Sequence, residues 1–278
     1  MQLTKGTLGC LSIIKQPNTY TVMKKLLTIL CAAFLACQAN AQDVYPISGT
    51  FEQVAINCGN QRMTKIPQPV YKTHAGKYSM LVWVDNGTNL TWRMEEYPNP
   101  DDPFCQKIKD VTPESFVLTW YSAGQFWNFP ARNWIDEEWK KVDSSNIEFQ
   151  AISDALTHHN ATGKLLGTWR LTAIRFPEKT GETVHMPKGL FKVYGQKHCI
   201  LLRGSLYNIE DAQPAMLRDF MWKSQNEFVE NGIEHKIAFI NPNKIIVEYI
   251  DENMGKAIET WVRYSVPEPA ASAFSAFK

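Results

Sequence analysis

The chain has 278 residues, 44% of them hydrophobic and 21% charged, the make-up of an ordinary globular protein with room for one large domain or two small ones. Its 29 basic and 28 acidic residues form no basic stripe, which removes the electrostatic footprint of a nucleic-acid binder. No apolar run is long enough for a helical membrane span.

Residues 23–43 read MKKLLTILCAAFLACQANAQD. Lys24 and Lys25 precede an apolar run from Leu26 to Ala36, and Ala39-Asn40-Ala41 is a small-x-small cleavage signal. This is the pattern of a secretory signal peptide, with Met23 expected as the true start and residues 1–41 lost from the mature protein. The rival is a lipoprotein signal with a lipid anchor at Cys37. Phe34 and Leu35 depart from the usual lipobox, so a soluble exported protein of the periplasm or cell surface is favoured. Without residues 1–41 the formal charge becomes −3.

The first strand-like segment is ISGTFEQV, residues 47–54, and a second opening of the same form, LLGTWRLT, follows at 165–172. Gly49-Thr50-Phe51 and Gly167-Thr168-Trp169 are 118 residues apart. Pro67, Tyr71, Lys72 and Lys77 match Pro187, Phe191, Lys192 and Lys197 at 120 residues, and Trp139 and Lys141 match Trp261 and Arg263 at 122. Two copies of one module are expected from that small drift. Within copy one, Asp85-Asn86-Gly87 between apolar runs predicts a hairpin. Residues 143–164 read as a connecting segment with a short helix over 153–159. In copy two, TWRLTAIRF alternates as a strand, residues 214–229 suit a helix or an irregular strand, and Asn241-Pro242-Asn243 predicts a second hairpin. Residues 267–278, rich in Pro and small side chains, read as a loose tail.

The Gly-x-Trp opening, the antiparallel run of strands and the cation of WVRY near the end of copy two resemble the calycin superfamily, in particular the lipocalin-like domains of exported Gram-negative proteins. That resemblance implies an all-β chain of two tandem antiparallel lipocalin-like barrels after the signal peptide: barrel 1 over 42–145, a linker over 146–164, barrel 2 over 165–266, and the tail. It also implies that the first-strand aromatic closes one end of each barrel beneath a last-strand cation, pairing Trp169 with Arg263 and Phe51 with Lys141. A guanidinium over an indole gains a cation–π contact while still donating to carbonyls.

Motifs for chemistry are missing. The sequence has no His-Glu-x-x-His, no zinc-spaced cysteines, no Gly-x-Ser-x-Gly elbow and no phosphate loop, so no metal, cofactor or catalytic residue is assigned. His158-His159 reads as a solvated pair, and His198 and His235 as structural or barrel-facing. Glu95-Glu96, Asp101-Asp102 and Glu137-Glu138 read as solvated loop or strand edge. Cys58 and Cys105 are either disulfide-bonded or separate thiols, and Cys199 reads as a buried thiol. Copy one places Trp120, Tyr121, Phe126, Trp127, Phe129, Trp134 and Trp139 within 20 residues. They form either an aromatic core with an inter-barrel interface or a pocket. In the second case the protein binds a small apolar or amphipathic ligand in barrel 1, with Trp92, Trp120 and Trp127 as pocket residues. The alternatives are a glycan-binding module that uses the same tryptophans, and an enzyme on a calycin scaffold. Clustered acid and His side chains inside one barrel would point to the enzyme.

Overall fold

The computed structural model describes residues 47–85, 89–96, 106–186, 189–204 and 215–278. The expected signal peptide, the Met23 start, Cys37 and Cys105 lie outside the described residues. Among those residues, no helix is long and apolar enough to cross a membrane.

The chain is all-β with two helices among the described residues. The first half contributes β1 (Gly49–Cys58), β2 (Gln61–Met63), β3 (Val70–Ala75), β4 (Tyr78–Asp85), β5 (Asn89–Glu96), β6 (Lys107–Lys109), β7 (Ser115–Ser122) and β8 (Asn133–Lys141). Helix α1 (Ile147–Thr157) follows. The second half contributes β9 (Gly167–Arg175), β10 (Thr183–His185), β11 (Leu190–Tyr194), β12 (His198–Arg203), β13 (Ala215–Trp222), β14 (Glu227–Glu230), β15 (Ile233–Asn241), β16 (Lys244–Asp251) and β17 (Gly255–Arg263), and helix α2 (Ala270–Ser275) ends the fold.

Strands β11 to β17 pair in sequence order, each antiparallel to the next, and β9 pairs with both β11 and β17. Eight strands therefore close into a barrel and leave no long exposed edge. Of the two readings for 214–229, the described part, from residue 215, is strand: β13 and β14 lie there with a break between them, and Phe220 and Phe228 belong to the barrel core. The hairpin at Asn241-Pro242-Asn243 forms as predicted, with Asn241 paired to Lys244 and the Asn241 side chain accepting from Asn243 N at 2.8 Å.

The first half repeats much of this pattern. Its strands pair in the order β5-β4-β3-β1-β8-β7-β6. Phe51 faces Lys72 and Lys141 across its ladders, as Trp169 faces Lys192 and Arg263. Lys72 pairs with Leu81 as Lys192 pairs with Leu201. Among the described residues no strand bridges β5 and β6. Instead β5 joins the edge of β13, where Leu90 and Asn89 pair with Ala215 and Met216. The hairpin expected at Asp85-Asn86-Gly87 has its flanks paired, Asp85 with Asn89, while residues 86–88 lie outside the described set.

Both motif glycines have left-handed backbones, φ +96° at Gly49 and +104° at Gly167, a region that side-chain-bearing residues avoid. Both motif threonines turn toward the helical layer. Thr168 Oγ1 donates to His159 O at 2.9 Å, and Thr50 Oγ1 donates to Ala276 O at 3.3 Å.

The connecting segment and the tail are packed elements. Asn146 caps α1 by accepting from Phe149 N at 3.0 Å. The helix then buries Phe149, Ile152, Ala155 and Leu156 on one face. Residues 267–278 are not loose: Ala270, Ala273, Phe274 and Phe277 are buried, and Phe277 stacks on Phe149 at 5.4 Å. Both helices fill a core between the outer faces of β3–β5 and β11–β12. That core joins residues 120 apart, Tyr71 with Phe191, Met80 with Ile200 and Val82 with Leu202. Separate cores fill the closed barrel and the concave side of the first sheet.

Candidate functional site

On strands buried on both faces, the residues that point into each concave interior are polar more often than the apolar runs suggest. In the closed barrel, Glu230 on β14 is the centre of a charge cluster. Lys192 Nζ stands 2.8 and 2.9 Å from its two oxygens, Arg218 donates at 2.7 Å and Tyr194 OH at 2.7 Å. Burial alone would push the Glu230 carboxyl up, but Lys192, Tyr194 and Arg218 outweigh it and bring it to about 2. Lys192 likewise stays protonated against burial because Glu230 and Glu259 face it. Glu259 accepts from Trp261 Nε1 at 2.8 Å and from Tyr249 OH at 2.9 Å. His235 lies flat on Phe228 at 4.8 Å, bonds Ile233 O through Nδ1, and has its pKa lowered by burial.

An acid–base cluster therefore lies inside one barrel, but its groups satisfy one another. A carboxylate near pKa 2 with three donors is a fixed charge and offers no proton at neutral pH. Among the described residues no group of three or more His, Cys, Asp or Glu side chains is placed to hold a metal ion.

At one end of this barrel the Arg263 guanidinium lies over the Trp169 ring, 4.2 Å from its centroid. Arg263 also donates to the carbonyls of Ala161, Leu166, Lys164 and Pro242 at 2.7–3.0 Å. Trp169 Nε1 donates to Leu165 O at 2.7 Å. In the first half, Phe51 instead packs edge-on against Phe116 at 5.0 Å, and the Lys141 side chain is exposed.

The concave side of the first sheet holds a groove of about 230 Å³. Leu81, Trp83, Phe126, Trp127 and Trp139 form its walls, and Gln53, Gln68 and Glu137 are its polar points. Glu137 was expected on a solvated edge; it is buried, because it points from β8 into the concavity. Burial pushes its carboxyl up, against the pull of Lys72 and of nearby Trp120, Trp139 and Gln53. Trp120 Nε1 donates to Glu137 Oε1 at 3.0 Å, the counterpart of the Tyr249–Glu259 bond in the barrel. Trp139 also acts on the Glu137 carboxyl as a hydrogen-bonding side chain, as its counterpart Trp261 donates to Glu259 at 2.8 Å.

The predicted pocket tryptophans separate. Trp127 lines the groove, with a left-handed φ of +51°. Trp120 stands behind it, edge-on to Phe126 at 4.9 Å and bonded to Glu137. Trp92 is on the other face of the sheet, buried against Phe274 at 5.5 Å, and does not reach the groove. His159, read as solvated, is buried edge-on to Phe274 at 5.5 Å. Cys58 and Cys199 are buried thiols.

No family model matches this chain. No curated protein matches it either. Among solved structures, a protein of unknown function from the DUF3598 family of Nostoc punctiforme is similar at 7% identity, over 78% of this chain and 96% of its own, with a TM-score of 0.21. A likeness at that level has no bearing on function.

The residues that sequence reading missed are Glu137, Trp83 and Gln53. The signal was available for Glu137: it recurs as Glu259, two positions before the repeated tryptophan, inside a strand that reads as core.

Proposed function

We propose that the protein is an exported, non-enzymatic binding protein of the periplasm or cell surface, built from two copies of a calycin-like module. In this reading the second copy is the structural one, its interior charges paired within the Glu230 cluster. The first copy holds a small apolar or amphipathic ligand. The observation that carries the reading is the groove of about 230 Å³, whose walls are largely aromatic and whose floor holds a buried carboxyl.

Displacement of an environment-sensitive dye, together with native mass spectrometry, tests it. Binding that is lost in Trp83→Ala, with the circular dichroism spectrum unchanged, is the expected result. Absence of any bound small molecule or dye in the folded wild type would remove the proposal.

A second reading, glycan binding, draws on Trp134. This residue is 53% exposed on β8 and stands edge-on to Tyr121 at 5.6 Å, an aromatic surface on which a sugar ring can stack. A glycan array that lights up for the wild type and not for Trp134→Ala would favour it.

A further inference from the structure

The groove in the first half takes its walls from two separately packed groups. Val70, Leu81, Trp83 and Trp139 belong with the core on the concave side of the sheet, while Phe126 and Trp127 pack on a smaller core of Ile56, Cys58, Phe129 and Ile135. Leu81, Trp83, Phe126 and Trp127 are only half-buried, so apolar surface is left uncovered where the groove of about 230 Å³ runs along the seam of the two groups. Trp127 is the odd member. It stands on the loop between β7 and β8 with φ +51°, a region where a bulky side chain is an outlier that its surroundings must hold in place. Gly124, three residues earlier in the same loop, could take that conformation freely and does not. Gln125 Nε2 donates to Trp127 O at 3.3 Å, and Phe126 and Phe129 exchange backbone bonds of 2.9 and 3.4 Å across the turn. The loop therefore keeps a strained indole at the groove.

We infer that Trp127 is a specificity-determining residue of the groove: together with Trp83, from the other packed group, it clamps a flat, uncharged molecule of one or two rings. This rests on the ligand-binding role proposed above. Backbone strain of this kind persists where a residue serves as a ligand clamp. Indole faces favour a planar ligand over a puckered one of the same skeleton, beyond the area that either buries. Size agrees: a cavity of about 150 Å³ accommodates benzene, so 230 Å³ suits one or two rings. Charge argues for a neutral ligand. The carboxyl that lines the groove, Glu137, already has Lys72 as its opposite charge and Trp120, Trp139 and Gln53 as hydrogen-bonding side chains. An ionic ligand would find no charge left to meet it and would not recover its desolvation.

The test compares 2-naphthalenemethanol, its fully saturated decalin analogue, 2-naphthoate and 2-naphthylmethylammonium by isothermal titration calorimetry on the full chain. The saturated analogue buries at least as much apolar surface, so burial alone would not favour the flat alcohol. The expected result is that the flat alcohol binds about tenfold more tightly than the saturated one, since each aromatic contact is worth about two- to tenfold. Both ions should bind at least about tenfold more weakly than the flat alcohol. In Trp127→Leu, which keeps apolar bulk without a flat face, the preference for the flat alcohol falls to about threefold or less while the saturated analogue still binds; Trp127→Phe restores the preference. Equal or tighter binding of the saturated analogue or of either ion to the wild type overturns the inference and leaves the ligand-binding role standing, as does an undiminished preference in Trp127→Leu. If none of the four binds but the dye does, the inference falls alone; if the dye also fails, the ligand-binding role falls with it. Because the ligand series is read on the wild type, a variant that fails to fold does not blunt the test.

Discussion

Replacing Glu230 with Gln removes the anion that holds Lys192, Arg218 and Tyr194 inside the barrel, and leaves two cations facing a neutral amide in a buried site. The Glu230 carboxyl is at about 2 in the folded chain against an ordinary 4.5. That difference corresponds to about 3 kcal/mol of stability, and buried pairs broken from one side lose about 3–5 kcal/mol. The sign follows from the depressed pKa. The contribution is complete above 4.5, where an unfolded Glu is ionised, and disappears as pH falls toward 2, where both states are protonated. Guanidinium unfolding of wild type and Glu230→Gln at pH 7, repeated in steps down to the lowest pH at which both still fold, measures it. The deficit should be about 3 kcal/mol or more at pH 7 and should shrink below pH 4.5. Adding Lys192→Met should recover part of the deficit by removing a stranded cation. A deficit below about 1 kcal/mol at pH 7, or one that does not shrink with acid, would refute the picture of a mutually neutralised cluster.

Three further outcomes follow from named contacts. His74 is buried and held at about 3 against an ordinary 6.5, so the folded state resists protonation; its share of the stability lost between pH 6.5 and 5 should be about 2 kcal/mol, and His74→Phe should flatten the slope by that amount in the same unfolding assay, leaving the smaller parts from His159 and His235. Gly167→Ala should cost more than Gly49→Ala. Both have positive φ, but a Cβ at Gly167 would stand 2.2 Å from Ala161 O, while nothing lies within 4 Å at Gly49; melting temperatures of the two variants give the order. Phe274→Ala, which empties a completely buried ring site on α2, should cost about 3–5 kcal/mol in chemical denaturation, and a cost under 1 kcal/mol would mean the helix is not part of the core.

Much of the strand framework was legible. Gly-Thr-aromatic starts β1 and β9 because glycine suits the left-handed turn into each first strand, and the threonine hydroxyl donates to a carbonyl just past a helix end. The Asn241-Pro242-Asn243 hairpin was legible because its turn chemistry is local. Residues 267–278 were misleading for the opposite reason. Pro and Ala read as loose, yet their burial depends on the faces of β3–β5 and β11–β12, both distant in sequence, which no local window contains. The tryptophan cluster was legible as a group but not in its sorting. Strand alternation sends Trp92 outward to the helices and Trp83 inward to the groove, and that assignment needs the register of β4 and β5. Glu137 was obscured by its neighbour: an adjacent acid pair suggests solvent, whereas in a strand one member faces out, where Glu138 bonds Arg62, and the other faces in.

The helical layer between the two sheets makes the halves indivisible. If residues 47–145 were produced alone, Tyr71, Met80, Val82 and Trp92 would face water as one oily plate, and residues 165–266 would expose the complementary plate formed by Phe191, Val193, Ile200 and Leu202. The shared core ties the two sheets and the helices into a single cooperative unit, so neither interior is expected to survive as a free-standing domain.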